Sequence, residues 1–165
     1  MLPRYQMFPV QQVFDRMATE FSWTAQEKGL TLGVENCADL LHSDPLLLER
    51  ILRNLLANAI RYTERGEVTV RCKVVAENLQ IEVRDSGIGI SEQHLPRIFE
   101  EYYQIGNTQR DRNNGLGLGL AIVQRLGQLL GGQVCASSII GVGSCFSLLV
   151  PLQPSDAMIQ SVGKA

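Results

Sequence analysis

The segment SDPLLLERILRNLLANAIRYT, residues 43–63, constrains the fold more than any other. Asp44 suits the position just before a helix, and Pro45 suits the first helical residue. Leu48, Ile51, Leu52, Leu55, Leu56 and Ala59 then recur at helical spacing and form a stripe that must be buried. Arg50, Asn54, Asn58 and Arg61 form a second, polar stripe. Asn54 and Asn58 are four apart and share one face. An asparagine carbonyl oxygen can ligate Mg²⁺ and its amide can bond a phosphate. A plain solvated face explains the pair equally well. Either way, this helix lies on a core and leaves a polar side for water or a ligand.

Around it the chain alternates in type. Val10, Val13, Phe14, Met17 and Phe21 predict a helix over 9–28, ended by Gly29. LTLGVEN (30–36) reads as a short strand. GEVTVRCKVV and NLQIEVRD alternate as two strands, with Glu77 and Asn78 near the turn. A loop region over 86–114 contains a short helical candidate at 92–103. The next helix spans about 116–130 and stops at Gly131-Gly132. QVCASS and SCFSLLVPL close the pattern as a hairpin around Gly141 to Gly143. Strands joined by short turns, with helices on one face, predict an α+β two-layer sandwich. Residues 1–8 carry no strong pattern and are expected to be a linker from an upstream domain. The domain then covers 9–152, and 153–165 are expected to be a flexible tail.

An apolar content of 45 % over 165 residues is enough for one domain with a real core. A net charge of −2 gives no pull toward nucleic acid. No apolar run approaches the roughly 20 residues of a membrane span. Cys37, Cys72, Cys135 and Cys145 are scattered without a C-x-x-C, so free thiols in a reducing cytosol are expected rather than a disulfide or a metal site.

Three further stretches could carry chemistry. In RDSGIGI (84–90), Asp85 is an acceptor suited to an amino group such as adenine N6. Gly87 and Gly89 would let the backbone approach a flat base. A simple Asx turn fits as well. NNGLGLGLAIVQRLGQLLGG (113–132) places Gly115, Gly117 and Gly119 ahead of a helix. It matches neither the dinucleotide fingerprint nor a P-loop. Exposed N–H groups and the helix dipole favour an anion there, whereas a flexible hinge is the alternative. In RIFEEYYQIGN (97–107), Phe99, Tyr102 and Tyr103 are either core aromatics or anchors of a mobile loop.

In combination and in this order, these stretches resemble the catalytic and ATP-binding domain of bacterial sensor histidine kinases, hybrid kinases among them. The resemblance runs from Phe8 to Leu152. NLLANAIRYT is similar to the family's N box, DSGIGI to its G1 box, RIFEEYYQ to its F box, GLGLGLAI to its G2 box and GVGSCFSLLVPL to its closing hairpin. The resemblance implies a Bergerat-type fold, a mixed sheet with three main helices on one face, and ATP between helices and lid. Asn58 would ligate Mg²⁺ and Asn54 would support the phosphates. Arg61 stands where a lysine is common, followed by Tyr62. Asp85 would bond the adenine amino group, with Gly87, Ile88, Gly89 and Ile90 shaping the base pocket. Phe99, Tyr103 and Gln104 would border the ATP site. Residues 104–114 would form a lid. Gly115, Gly117 and Gly119 would hinge it and offer N–H groups, with Leu116, Leu118 and Leu120 as core and base-pocket contacts.

Two departures stand out. Gln104 sits where relatives often carry a cation, a role Arg110 or Arg112 could take over. Tyr102 replaces the commoner Phe. His42 and His94 lack an H-E-x-x-x-P-like context and are expected to be surface residues. The resemblance thus implies a domain, monomeric in isolation, that binds Mg-ATP and phosphorylates a histidine on a separate dimerisation domain. A response-regulator receiver domain would follow in the relay. It implies a cytoplasmic location, without membrane contact by this domain, in a parent that could be membrane-anchored. Two alternatives are another ATPase of this fold, although Glu49 and Glu64 lie on different faces from the asparagines, and a non-catalytic module that binds a nucleotide or cyclic dinucleotide.

Overall fold

A computed structural model describes residues 2–103 and 119–155. In chain order the elements are β1 (Gln6–Pro9), α1 (Val10–Glu27), β2 (Thr31–Val34), β3 (Leu40–Ser43), α2 (Pro45–Arg61), β4 (Glu67–Val75), β5 (Asn78–Asp85), a single 3-10 turn (Leu95–Arg97), α3 (Gly119–Leu129), β6 (Gln133–Ile139) and β7 (Gly143–Pro151). The main sheet runs β2-β4-β5-β7-β6. It is mixed for a topological reason. β4–β5 and β6–β7 are joined by tight turns and pair antiparallel, whereas β2 reaches β4 through a crossover containing α2 and pairs parallel.

The period-2 alternation of the strands decides which face is covered. Val68, Val70, Leu79, Ile81, Val83, Phe146, Leu148 and Val150 are buried under the helices. Arg71, Glu82 and Arg84 point to the other face, where Glu82 bridges both arginines at 2.9 and 3.4 Å. α2 lies centrally, flanked by α1 and by α3. The α+β two-layer sandwich with three helices on one face is therefore as the sequence implied. Asp44 caps α2: its Oδ1 accepts from the N–H groups of Leu46 (3.0 Å) and Leu47 (3.2 Å), and its Oδ2 from that of Arg4 (2.8 Å). Such a cap contributes about 1 kcal/mol.

Three features differ from the sequence expectation. The N-terminal segment without a pattern supplies β1, which pairs antiparallel with β3 from Gln6↔Ser43 to Pro9↔Leu40. Four-residue strands are too short for a periodicity to show, yet Phe8 and Leu41 are buried. The helical candidate at 92–103 is instead a chain of turns. N–H groups of His94, Arg97, Glu100 and Tyr103 each bond the carbonyl three residues back, and Tyr102 takes a positive φ of 64° that a helix cannot contain. Finally, Cys37 and Cys72 are not free thiols but a disulfide, with Cα atoms 6.4 Å apart. Their separation of 35 residues hides the pairing, which arises because the β2–β3 connection folds back on β4. Cys135 and Cys145 are free, as expected. Among the described residues no helix is long and apolar enough to cross a membrane.

Candidate functional site

The two flanks of α2 are occupied differently. On one, Glu49 and Arg53 form an i,i+4 pair at 2.7 Å, and they bind Arg16 and Glu20 of α1 at 3.2 and 2.8 Å. Roughly 140° around the helix, at 3.6 residues per turn, lie Asn54 and Asn58. Both are half-buried, and neither amide has a hydrogen-bond partner among the described residues. Half-buried amides without protein partners are costly unless water or a ligand serves them. Arg61, one turn further, is also half-buried, and its guanidinium lies 5.9 Å from the Tyr62 ring. Lys28, from the end of α1, donates from Nζ to the carbonyls of Ile60 (2.6 Å) and Arg61 (2.8 Å) and so caps the C-terminus of α2.

β5 delivers Asp85 to the helix side of the sheet, opposite Val68. Its Oδ1 accepts from the N–H of Gly87 (2.9 Å) and from that of Ser144 (3.3 Å). Burial pushes its carboxyl above the usual aspartate value, and those two donors partly offset the rise. The second carboxylate oxygen has no bond to a described residue and is a free acceptor.

The loop after Asp85 is held from both sides. The Ile88 N–H donates to the carbonyl of Tyr62 (3.1 Å), and the Ile88 carbonyl accepts from the N–H of Gly141 (2.7 Å). The Ile90 N–H donates to Oγ of Ser138 (2.7 Å), which also contacts Oγ of Ser144 at 2.8 Å. A Cβ at Gly87 would strike the carbonyl oxygen of Tyr62 and stand 2.9 Å from both Asp85 Oδ1 and Thr63 Oγ1. Gly89 has φ +75° and lies directly on the backbone of Ile139 and Ile140. The loop is thus fixed between the C-terminus of α2 and the β6–β7 turn, with Ile88 half exposed and Ile90 packed against the core.

The aromatic segment closes one side of this region. Phe99 meets Phe146 edge-on at 6.3 Å. His94 is half-buried rather than a free surface residue: its Nδ1 bonds the Tyr103 hydroxyl, while the Arg97 guanidinium lies 4.5 Å from the Tyr103 ring. Glu101 binds Arg125 of α3 at 3.1 Å and joins this segment to that helix. His42 is half-buried against Tyr5. At Gly119 an added Cβ would meet nothing within 4 Å among the described residues, and Leu120 rests on the core. Gln104, Arg110, Arg112, Gly115, Leu116, Gly117 and Leu118 lie outside the described residues. A depression of about 390 Å³ at this end of the sheet is lined by Asp85, Ser138 and Ser144 together with Thr69, Arg84 and Cys145, and not by the α2 asparagines.

Sequence reasoning missed Lys28, Thr63, Ser138 and Ser144. Each acts on a residue 32 to 59 positions away or through a backbone carbonyl, and no spacing signals such a contact.

Residues 43–154 match the family described as histidine kinase-, DNA gyrase B-, and HSP90-like ATPase. The aerobic respiration control sensor protein ArcB of Escherichia coli is 40 % identical over 131 residues, covering 76 % of this chain and 17 % of that protein. Hybrid signal transduction histidine kinase B of Dictyostelium discoideum is 34 % identical over 152 residues, covering 87 % of this chain and 8 % of that protein. The chain therefore spans less than a fifth of the length of these relatives. Among solved structures, full-length ShkA in complex with AMPPNP superimposes with a TM-score of 0.81 at 28 % identity, over 96 % of this chain and 33 % of that one. The catalytic domain of histidine kinase ThkA shares the fold at a TM-score of 0.78 and 21 % identity, over 92 % of this chain and 97 % of that one. Family match, relatives and fold agree, and the chain belongs to the histidine kinase-, DNA gyrase B- and HSP90-like ATPase family.

Proposed function

We propose that this domain binds Mg-ATP and donates the γ-phosphoryl group to a histidine on a separate dimerisation domain. The observation that carries the reading is a set of half-buried polar groups without partners among the described residues: the Asn54 and Asn58 amides and the second oxygen of Asp85. The Asp85 oxygen accepts from the adenine amino group, and Gly87 and Gly89 let the loop beside it pack directly on the Tyr62 carbonyl and the Ile139–Ile140 backbone, which fixes the wall the base meets. Tyr62, Ile88, Ile90, Phe99, Tyr103 and Leu120 border that pocket. The Asn58 carbonyl oxygen suits Mg²⁺, which takes few protein ligands and relies on waters and substrate phosphates for the rest. The bound ion would neutralise charge on the phosphates. Asn54 and Arg61 orient the same phosphates from the neighbouring positions of α2.

Phosphoryl transfer depends on positioning and charge neutralisation, with little covalent chemistry for the protein to perform. With Gln104 uncharged, Arg110 or Arg112 would supply the cation, and Gly115, Gly117 and Gly119 would offer N–H donors to the phosphates; all but Gly119 of these lie outside the described residues. Glu49, the carboxylate of α2, is held by two arginines on the other flank, which disfavours a water-activating role and so disfavours a hydrolytic ATPase. Relatives that include a hybrid kinase favour transfer onward to a receiver domain. The test is a calorimetric titration with Mg-ATP, followed by mixing with a histidine-bearing dimerisation domain and ATP labelled at the γ-phosphate. Saturable binding with label on the partner domain is expected. Absence of binding, or label on His42 or His94 of this chain, contradicts the reading.

A further inference from the structure

A cysteine pair joins β4, four residues along from the Val68 that pairs with Asp85, to the β2–β3 connection. Cys37 is 4 % exposed and sits in the connection between β2 and β3. Cys72 is half-buried on β4. Oδ2 of Asp39 lies 3.6 Å from Sγ of Cys37 and 3.8 Å from Sγ of Cys72. The three ligating atoms fall within 4.8 Å of one another. A carboxylate beside both sulfurs puts a proton acceptor within reach of a dithiol that closes, because each thiol must lose its proton on the way to the disulfide.

The connection bearing Cys37 is also bonded to the start of α1. The Cys37 N–H donates to Oε1 of Gln11 (2.6 Å), and the Asp39 carbonyl accepts from the N–H of Val10 (3.1 Å). β3 follows immediately and pairs with β1. The Cys37–Cys72 bond therefore ties the β1–β3 ribbon and the N-terminus of α1 to the central sheet through β4.

We propose that Cys37 and Cys72 form a reversible thiol–disulfide centre in which Asp39 is the proton acceptor, and that its oxidation clamps the β1–β3 ribbon onto the sheet. The oxidant is a small-molecule disulfide. The thiolate of Cys72, the more accessible sulfur, attacks one sulfur of that disulfide; its S–S bond breaks and one thiolate leaves, giving a mixed disulfide. Asp39 then takes the proton from the Cys37 thiol, the resulting thiolate attacks Sγ of Cys72, and the second small thiol departs. Two protein thiols are oxidised to one disulfide, and one small-molecule disulfide is reduced to two thiols. Reduction runs the same steps backwards. The proposal is independent of the nucleotide reading.

The test equilibrates the full chain in glutathione buffers of graded redox poise, then blocks free thiols under denaturing conditions and measures intact mass. Four blocked thiols are expected at the reducing end and two at the oxidising end, with the protected pair mapping to Cys37 and Cys72. The change reverses in the folded protein. The double variant C135S/C145S retains the transition and C72S loses it. The oxidised chain melts about 10 °C above its reduced form, from the closure of a long loop. D39N slows closure by ~100-fold, the lower end of general-base effects. Hydrogen exchange at residues 40–43 slows on oxidation. Four reactive thiols at every poise, protection that maps to Cys135 or Cys145, or a bond reducible only after unfolding would each overturn the proposal. A D39N variant with unchanged closure rate would overturn the role of Asp39.

Discussion

Replacing Asp85 with asparagine separates recognition from folding, because the two carboxylate oxygens do different things. Oδ1 holds the loop and β7 through the N–H groups of Gly87 and Ser144. The amide oxygen of asparagine can accept both bonds unchanged. The other oxygen becomes an NH₂ group, which presents a donor to the donor it should receive. Since burial already disfavours the charge of Asp85, removing that charge costs the fold little. The melting temperature of D85N should stay within a few degrees of the parent, corresponding to less than about 1 kcal/mol. Binding is another matter. Loss of a charge-assisted hydrogen bond costs about 1.5–3 kcal/mol, or roughly 10- to 150-fold in Kd. Titration calorimetry with ATP reads this directly, and thermal melting of the same sample controls for folding. A D85N protein that melts normally and binds ATP within twofold of the parent would refute the assignment. A large fall in melting temperature would refute the division between the two oxygens. The pH dependence has a definite sign. Asp85 holds its proton more tightly in the folded than in the unfolded chain, so its own contribution to stability grows as pH falls. ATP affinity moves the opposite way. It is full at neutral pH and declines on acidification, starting above the pH at which an exposed aspartate titrates, and this decline is absent in D85N.

Four other substitutions probe the same geometry. Gly87→Ala drives a Cβ into the Tyr62 carbonyl, so loop and helix end must separate; a loss of about 1–3 kcal/mol by denaturant unfolding and weakened ATP binding are expected. Gly119→Ala meets open space among the described residues, so the melting temperature should hold or rise by up to the equivalent of about 1 kcal/mol while ATP binding weakens. Asn58→Ala removes a side chain with no hydrogen-bond partner among the described residues and improves helix propensity by about 0.5 kcal/mol; stability is retained, and the Mg²⁺-dependent part of ATP affinity in a calorimetric titration is lost. Lys28→Met strips the α2 C-terminus of its cation and should lower the melting temperature by roughly 2–4 °C, for a loss near 1 kcal/mol.

The sequence by itself determined the elements that have a period and the motifs that have a local order. The helix at 45–61 was legible because its apolar stripe repeats every three to four residues. The strands β4 to β7 were legible because their alternation persists over seven to nine residues. Asp85, Gly87 and Gly89 were legible for a similar reason: the chemistry of a strand end and a tight loop is written in adjacent residues. What the tertiary structure decided lies between distant positions. The four-residue strands β1 and β3 are too short to announce themselves and exist because they pair with each other. Cys37 meets Cys72, and Lys28 meets the end of α2, across 32 to 35 residues. Ser138 and Ser144 hold Ile90 and Asp85 from 48 and 59 residues away. Contacts at such separations leave no periodic trace in the chain. They form only when packing brings two surfaces together, and here they decide that a loop readable as a simple turn is instead a rigid wall beside a free carboxylate oxygen.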